Sequence, residues 1–501
     1  MMPADYLLGI DNGGTVTKAA VYDTSGNEKA VAGIKSAIVF PRPGHAEKDT
    51  EALWAANVHV IREVLEKAGI GAAQVAGIAV TGHGNGMYLV DGKGRSVYNG
   101  INSADTRASD YVQKWYADGT HDRLLTRTCQ SIWPGQPVAL LAWFQDREPE
   151  VLERTRWVFM CKDFIRYRLT GEALAELTDY SGTSLLNVRT LDYDLELLES
   201  FGIGFCREKL PSLRRSAEIC GRISRKAAEE TGLLEGTPVA GGLFDISACA
   251  IASGIIDPAQ LCLIAGSWSI NEYISTSPVE AKDLFMTSAY CLPGHWLTME
   301  GSATSASNLE WVVSELMGGE SLGAGGQSIY NTCGELAASV HPADSDIVFL
   351  PFLYGSNVGP NAASCFLGLH GWHRKEHLLR AVFEGVVFSH KTHVDRLLTY
   401  RDTPKVARMA GGAAKSPIWV QMFADVLGIP IELTSNEELG AMGAAICAGV
   451  GVGVFASFEE AVDRMVCVSQ TVEPRSDYTK LYADKYVRYQ KYLRALAEAW
   501  A

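Results

Sequence analysis

Tyr6-Leu-Leu-Gly-Ile-Asp11-Asn-Gly-Gly14-Thr-Val-Thr-Lys18-Ala-Ala-Val-Tyr-Asp23 is an apolar run, a small-residue turn and a second, alternating run. That pattern predicts a β-hairpin, followed by a further turn at Thr24-Ser-Gly-Asn27. Glycines at such a turn let backbone N–H groups close around an anion without side-chain obstruction. Asp11, at the strand end, could hold a magnesium ion, and Lys18 points back along the second strand. A plain hairpin with an aspartate cap is the competing reading of the same residues.

Working outward, residues 50–67 carry Leu53, Trp54, Val58, Ile61, Val64 and Leu65 at helical spacing, with Thr50 as N-cap and Gly69 beyond the end. Val75–Val80 reads as a buried strand. Near residue 260 the opening returns: Leu261-Cys-Leu-Ile-Ala-Gly266-Ser267-Trp-Ser-Ile-Asn-Glu-Tyr-Ile-Ser275 is again strand, small-residue turn and strand. Two α/β halves that each open on a glycine hairpin predict a duplicated fold with a cleft between them. Hairpins of this kind are common, so the repeat alone does not require duplication. The expected domains are 1–250, with a Trp-, Arg- and Tyr-rich insertion at about 100–215, and 251–501. Residues Tyr478–Trp500 read as a helix.

A chain of 501 residues with 47% hydrophobic and 20% charged residues has enough apolar material for two large cores. Its 44 Lys and Arg against 58 Asp and Glu give a charge of −14, a field that repels phosphate backbones and argues against nucleic acid. The 11 cysteines are scattered without a C-x-x-C, which fits a reducing compartment and no disulfide framework. No basic leader opens the sequence, and no run approaches the ~18 apolar residues of a membrane span. Ala444–Ala456 is glycine-interrupted and reads as a buried helix with a turn. A cytoplasmic protein without a membrane partner is the expectation.

Phosphoryl transfer needs donors for phosphates, a carboxylate for Mg²⁺ and a base at the acceptor hydroxyl. The chain has no G-x-x-x-x-G-K-[ST], and Gly82-His-Gly-Asn-Gly86 has the wrong spacing for a dinucleotide turn. Met409-Ala-Gly-Gly-Ala-Ala-Lys-Ser-Pro417 lies between an apolar segment and a helical one, where small residues suit the flat face of a nucleotide or simply make a tight turn. Asp245, in Gly241-Gly-Leu-Phe-Asp-Ile-Ser247, follows an apolar strand and opens an Ala/Cys-rich helix. It is either a helix N-cap or a catalytic base.

Taken in order, these motifs resemble the FGGY carbohydrate kinases. Ser364-Cys-Phe-Leu-Gly-Leu, seven residues, then His377-Leu-Leu-Arg-Ala-Val-Phe-Glu384 matches the family's second signature. Lys162-Asp163, Thr170-Gly171 and Asp179 also fall in family order. The resemblance implies two actin-like, ribonuclease H-like α/β domains of the sugar kinase/heat-shock ATPase/actin superfamily. It implies ATP and Mg²⁺ as cofactors and a small sugar as partner; a homodimer is a family-level expectation. Asp245 would be the general base and, with Asp11, would hold Mg²⁺. Gly13, Gly14, Thr15, Lys18, Gly266 and Ser267 would line the phosphates, and Gly411, Gly412, Ala413 and Ser416 the adenosine. His83 and Asn85 occupy sugar-binding positions, while Asp105 and Arg107 match an Asp-x-Arg that either orients the pocket or touches sugar.

Gly14 and Ser267 stand where threonine is usual in the family, and Ile246 where an amide often follows the base. Glycerol and D-xylulose kinases fit this pattern less well. Ser216–Gly221, Phe349–Asn357 and Glu384–His390 read like the L-xylulose/3-keto-L-gulonate kinase branch, with Asn357 and His390 as pocket, hinge or core residues. Kinases of other pentuloses or polyols are the alternative, and a non-catalytic sugar- or nucleotide-binding regulator is the alternative of a different class.

Overall fold

The computed structural model describes residues 5–317, 328–356, 358–359 and 361–500. It divides into two compact units. The first comprises the chain up to Ile256 together with Ile274–Thr298 and Asn436–Cys467. The second comprises Asp257–Tyr273, Met299–Ser435 and the chain from Val468 on. The expected halves, 1–250 and 251–501, differ from these units chiefly by the segments 274–298 and 436–467.

In the first unit, β1 (Tyr6–Asn12), β2 (Val16–Asp23) and β3 (Glu28–Lys35) form an antiparallel meander. β4 (Val75–Gly82) lies parallel to β1 on the other side. β5 (Ile219–Arg222), β6 (Pro238–Ala240) and β7 (Leu243–Phe244) complete the sheet in the order β5-β6-β4-β1-β2-β3, with β7 also alongside β4. Leu8, Ile10, Val21, Ile78 and Val80 bury one set of side chains against Val60, Ile61 and Val64 of the helix Thr50–Ala68. That helix is capped by Asp49, whose carboxylate accepts from the amides of Glu51 and Ala52. Thr50, expected as the cap, is instead its first residue, because Asp49 is the side chain in reach of the first free amides. Gly69 ends the helix at φ 63°, as its position past the last apolar residue predicts.

The helix Leu439–Gly451, buried from Leu439 to Gly449, packs on β1 and β4. Its close approach requires Gly9, where a Cβ would lie 1.8 Å from the Ala441 carbonyl oxygen. Much of the stretch at 100–215 builds a core of its own around Trp115, Leu140, Leu141, Phe144, Leu197 and Leu198.

The second unit repeats the arrangement. β8 (Gln260–Ala265) and β9 (Ser269–Ser275) form an antiparallel hairpin, and β10 (Val406–Ala410) runs parallel to β8 as β4 does to β1. β11 (Ile431–Thr434) and β12 (Val468–Val472) continue the order β9-β8-β10-β11-β12. The family signature lies in this unit, in the strand Cys365–Leu367 and the helix Lys375–Leu397. Its Glu384 accepts from Arg380 at 2.7 Å and pairs with Lys485 of the helix Ser476–Trp500 at 2.5 Å, all three being buried. Among the described residues no helix is long and apolar enough to cross a membrane.

Candidate active site

Strand register brings the two aspartates to one level. Asp11 lies opposite Thr81 and Asn12 opposite Gly82 in the β1–β4 pair, while Leu243 and Phe244 of β7 lie opposite the same two residues. Asp11 therefore lies one residue before the end of β1 on one side of β4, and Asp245 follows β7 on the other. Ligands of α/β sheets bind at these carboxyl ends. Asp245 is the first residue of the helix Asp245–Ala252, not its N-cap; Phe244 holds the cap position. The Asp245 carboxylate accepts from the Ile246 amide at 2.8 Å, at a helix end whose dipole favours an anion.

Withdrawal from water, and then the charge of Asp11, push the Asp245 carboxyl up to about 7, against hydrogen bonds from the Ile246 and Gly84 amides. Burial likewise pushes Asp11 up to about 6, opposed by Lys18. Asp11 Oδ1 is buried with no hydrogen-bond partner among the described residues. Two neighbouring carboxyls, one with an unused buried oxygen, form a donor set that fits a hard divalent cation completed by phosphate and water oxygens.

Three residues not singled out from the sequence shape this acid pair. The Lys48 ammonium, buried, donates to the Gly13 carbonyl at 2.9 Å, and its charge reaches Asp11. Glu438 engages Lys18 at 2.6 Å, directly across the hairpin register from Asp11. Gly440 leaves room for Asp11, since a Cβ there would lie 2.3 Å from Asp11 Oδ2. None carries a local signal, because each acts through a partner remote in sequence. Gly14 and Thr15 occupy the partly open turn between β1 and β2.

The loop after β4 holds the two residues expected at the sugar. His83 is buried, shares a 3.0 Å hydrogen bond with the Tyr88 hydroxyl, and is pushed down to about 3 by burial and the Lys48 charge, so its imidazole is neutral. Asn85 adopts a left-handed φ of 58°, and its Oδ1 is buried without a partner among the described residues. Asp105 differs from both. Its oxygens are taken up by the Ala46 amide at 2.7 Å and by Arg107 at 2.9 Å, and Arg107 also reaches Glu47 at 2.7 Å. This geometry orients the segment that leads to Lys48 and leaves Asp105 with little to offer a ligand.

In the second unit, Gly266 and Ser267 form the turn between β8 and β9. Ala306 donates its amide to the Gly266 carbonyl at 2.9 Å, and the Ser307 hydroxyl donates to the Ser267 carbonyl at 3.1 Å. Gly411 meets this turn from β10 with φ 89°; a Cβ there would lie 2.7 Å from the Ala265 backbone. Gly412 and Ala413 begin a short 3-10 turn, and Ser416 leads into the helix Pro417–Leu427. The small residues expected at the nucleotide thus gather at one sheet end. His390 is a core residue, held between Asn271 Oδ1 at 2.8 Å and the Ser305 hydroxyl at 2.9 Å. Asn357 lies outside the described residues.

A glycine hairpin beside a parallel strand in each unit, with an acid pair at the strand ends, defines an α/β phosphotransferase of the sugar-kinase fold. Residues 6–252 match the N-terminal domain, and residues 261–452 the C-terminal domain, of the FGGY family of carbohydrate kinases. The chain belongs to this family, and it is an ATP-dependent carbohydrate kinase. It is 38% identical to the L-xylulose/3-keto-L-gulonate kinase of Escherichia coli strain K12, over 98% of this chain and 97% of that one. It is 25% identical to the xylulose kinase of Bacillus subtilis strain 168, over 97% and 96% of the two chains. The crystal structure of xylulose kinase from Rhodospirillum rubrum superposes with a TM-score of 0.89 at 26% identity, covering 99% of each chain.

Proposed function

We propose that the chain transfers the γ-phosphoryl group of ATP to a hydroxyl of a pentulose of the L-xylulose class or of the related keto-sugar acid 3-keto-L-gulonate. The observation that carries the chemistry is the placement of Asp245. It sits at a helix N-terminus beside Asp11, with a carboxyl raised to about 7, a value suited to taking a proton at neutral pH. The identity to the Escherichia coli kinase supports the substrate class.

In this reading His83 and Asn85 orient the sugar, and ionised Asp245 accepts the proton of the acceptor hydroxyl. That oxygen bonds to the γ-phosphorus as the bond from phosphorus to the β–γ bridging oxygen breaks, and ADP leaves. The hairpin amides at Gly13–Thr15, with Lys18, and those at Gly266–Ser267 hold phosphate oxygens. Gly411, Gly412, Ala413 and Ser416 give the adenosine a flat surface. Asp11 and Asp245 would hold Mg²⁺, which when bound neutralises charge on the transferring phosphate.

An ADP-release assay with Mg·ATP tests the reading on L-xylulose, 3-keto-L-gulonate, D-xylulose, L-ribulose, D-ribulose, erythritol and glycerol. The expected result is a kcat/KM for L-xylulose or 3-keto-L-gulonate at least about tenfold above the others, worth about 1.4 kcal/mol of transition-state discrimination. Preference for a polyol or for D-xylulose would overturn the substrate assignment.

A further inference from the structure

Asp179 is fully buried, and the mechanism above does not use it. It lies on a one-turn helix, Leu177–Tyr180, that joins two walls of the proposed sugar subsite. On one side its Oδ1 accepts the Asn85 amide at 3.1 Å. On the other, the neighbouring Thr178 hydroxyl accepts the Phe244 amide at 2.8 Å, one residue before Asp245. Its second oxygen, Oδ2, is buried with no partner among the described residues.

The turn is itself anchored. Glu176 accepts from the Thr178 amide at 3.0 Å and from its hydroxyl at 2.8 Å, and pairs with Lys162 at 3.0 Å. Lys162 also pairs with Asp163, which pairs with Arg166 at 2.7 Å; all are buried. A buried ion cluster of this kind is costly to break, so the turn is a fixed post.

The loop it holds is closely packed. Asn85 takes a left-handed φ of 58°, a region that asparagine enters more readily than most non-glycine residues but that its surroundings must still select. Gly84 packs against the Phe244 ring, where a Cβ would lie 1.7 Å away, so no side chain fits there. The hydrogen bond to Asp179 falls on the backbone amide of the left-handed residue itself.

We infer that Asp179 is a positioning residue for the sugar: by accepting the Asn85 amide it holds Asn85 in its left-handed bend and so aims the free Asn85 Oδ1 at a substrate hydroxyl. The inference rests on the sugar-kinase reading with Asn85 at the substrate. It assigns a role to Lys162-Asp163 as well, as the foundation under the turn.

Steady-state kinetics of Asp179→Ala, Asp179→Asn, Asn85→Ala and the Asp179→Ala/Asn85→Ala double variant test it, with L-xylulose and ATP varied separately. Asp179→Ala is expected to raise KM for L-xylulose by about tenfold and to leave KM for ATP within about twofold. Asp179→Asn keeps an acceptor carbonyl for the amide and is expected to stay within about threefold of wild type in both constants. In the Asn85→Ala background, removing Asp179 is expected to add less than about twofold, because its effect passes through Asn85. A full additive loss in the double variant, an unchanged sugar KM in Asp179→Ala, or a sugar KM in Asp179→Asn raised about tenfold would each overturn the inference. The Asn variant decides the matter even where the Ala variant does not fold. Absence of wild-type turnover on both L-xylulose and 3-keto-L-gulonate would instead sink the substrate assignment, and the variant-to-wild-type ratios would then be read with whichever sugar of the panel is turned over.

Discussion

Asp245 carries opposing consequences for activity and stability. Its folded-state carboxyl, raised to about 7, lies above the ordinary carboxylate value, so the folded chain holds that proton more tightly than the unfolded chain. Stability associated with this group is fully present below the unfolded value and is lost as pH rises through about 7. Activity runs the other way, since only the ionised form accepts the sugar proton. We expect kcat/KM to rise with pH as the Asp11–Asp245 pair ionises, over the range of about 6 to about 7. Asp245→Asn should lower kcat by at least about a thousandfold, the scale of losing a general base with its electrostatic role. The same variant should raise the unfolding temperature at about pH 8 more than at about pH 5, because an amide needs no proton to tolerate burial. Near-wild-type turnover in Asp245→Asn would remove this residue as the base.

Gly440 acts at the same scale through space alone. A methyl group there would lie 2.3 Å from Asp11 Oδ2, so Gly440→Ala should displace the Asp11 carboxylate or the helix that carries residue 440. The expected result is a loss of turnover of about tenfold or more while far-UV circular dichroism is retained. Unchanged kcat in a folded Gly440→Ala would show that Asp11 does not need its present position.

Among the elements, the helix Leu439–Gly451 shows how small residues make a site. Gly9 and Gly443 let it lie against β1 and the helix Asp245–Ala252, where added Cβ atoms would meet the Ala441 and Ala248 carbonyls at 1.8 and 2.2 Å. Backbone atoms cannot yield as side chains can, so Gly443→Ala should cost about 1–3 kcal/mol in urea unfolding. In the second unit, Glu384 sits between Arg380 and Lys485. Glu384→Ala leaves two buried cations without their carboxylate and should cost about 3–5 kcal/mol, with loss of the docked helix Ser476–Trp500 in limited proteolysis. The glutamate of the family signature is therefore architectural: it fastens the helix Ser476–Trp500.

At the scale of the whole molecule, the first unit is not contiguous in sequence. The sheet of residues up to Ile256 is covered on one face by a helix from 436–467, with the second unit's sequence intervening. A fragment ending at residue 256 would expose the apolar face of β1 and β4 to water. We expect it to aggregate or to unfold without a cooperative transition, and a fusion restoring 436–467 to recover one, measured by thermal denaturation at equal concentration. A cooperative, monomeric 1–256 fragment would contradict this packing.

By itself the sequence determined the hairpins, because alternation and glycine turns are local; it marked Asp11, Gly13 and Gly14, because a strand end followed by small residues is local as well, and Asp245, because it stands between an apolar strand and an Ala/Cys-rich helix. It also presented Asp179 in order among the family motifs, with no hint of what it holds. Only the tertiary structure decided that Asp105 is spent on Arg107 and Ala46, that His390 is held in the core, and that Asp49 rather than Thr50 caps its helix. Only it brought Lys48, Glu438 and Gly440 to the Asp11 end of β1. The physical reason is reach. Backbone conformation follows from neighbours along the chain, whereas the charge, burial and spare hydrogen bonds of a side chain depend on partners that folding brings from hundreds of residues away.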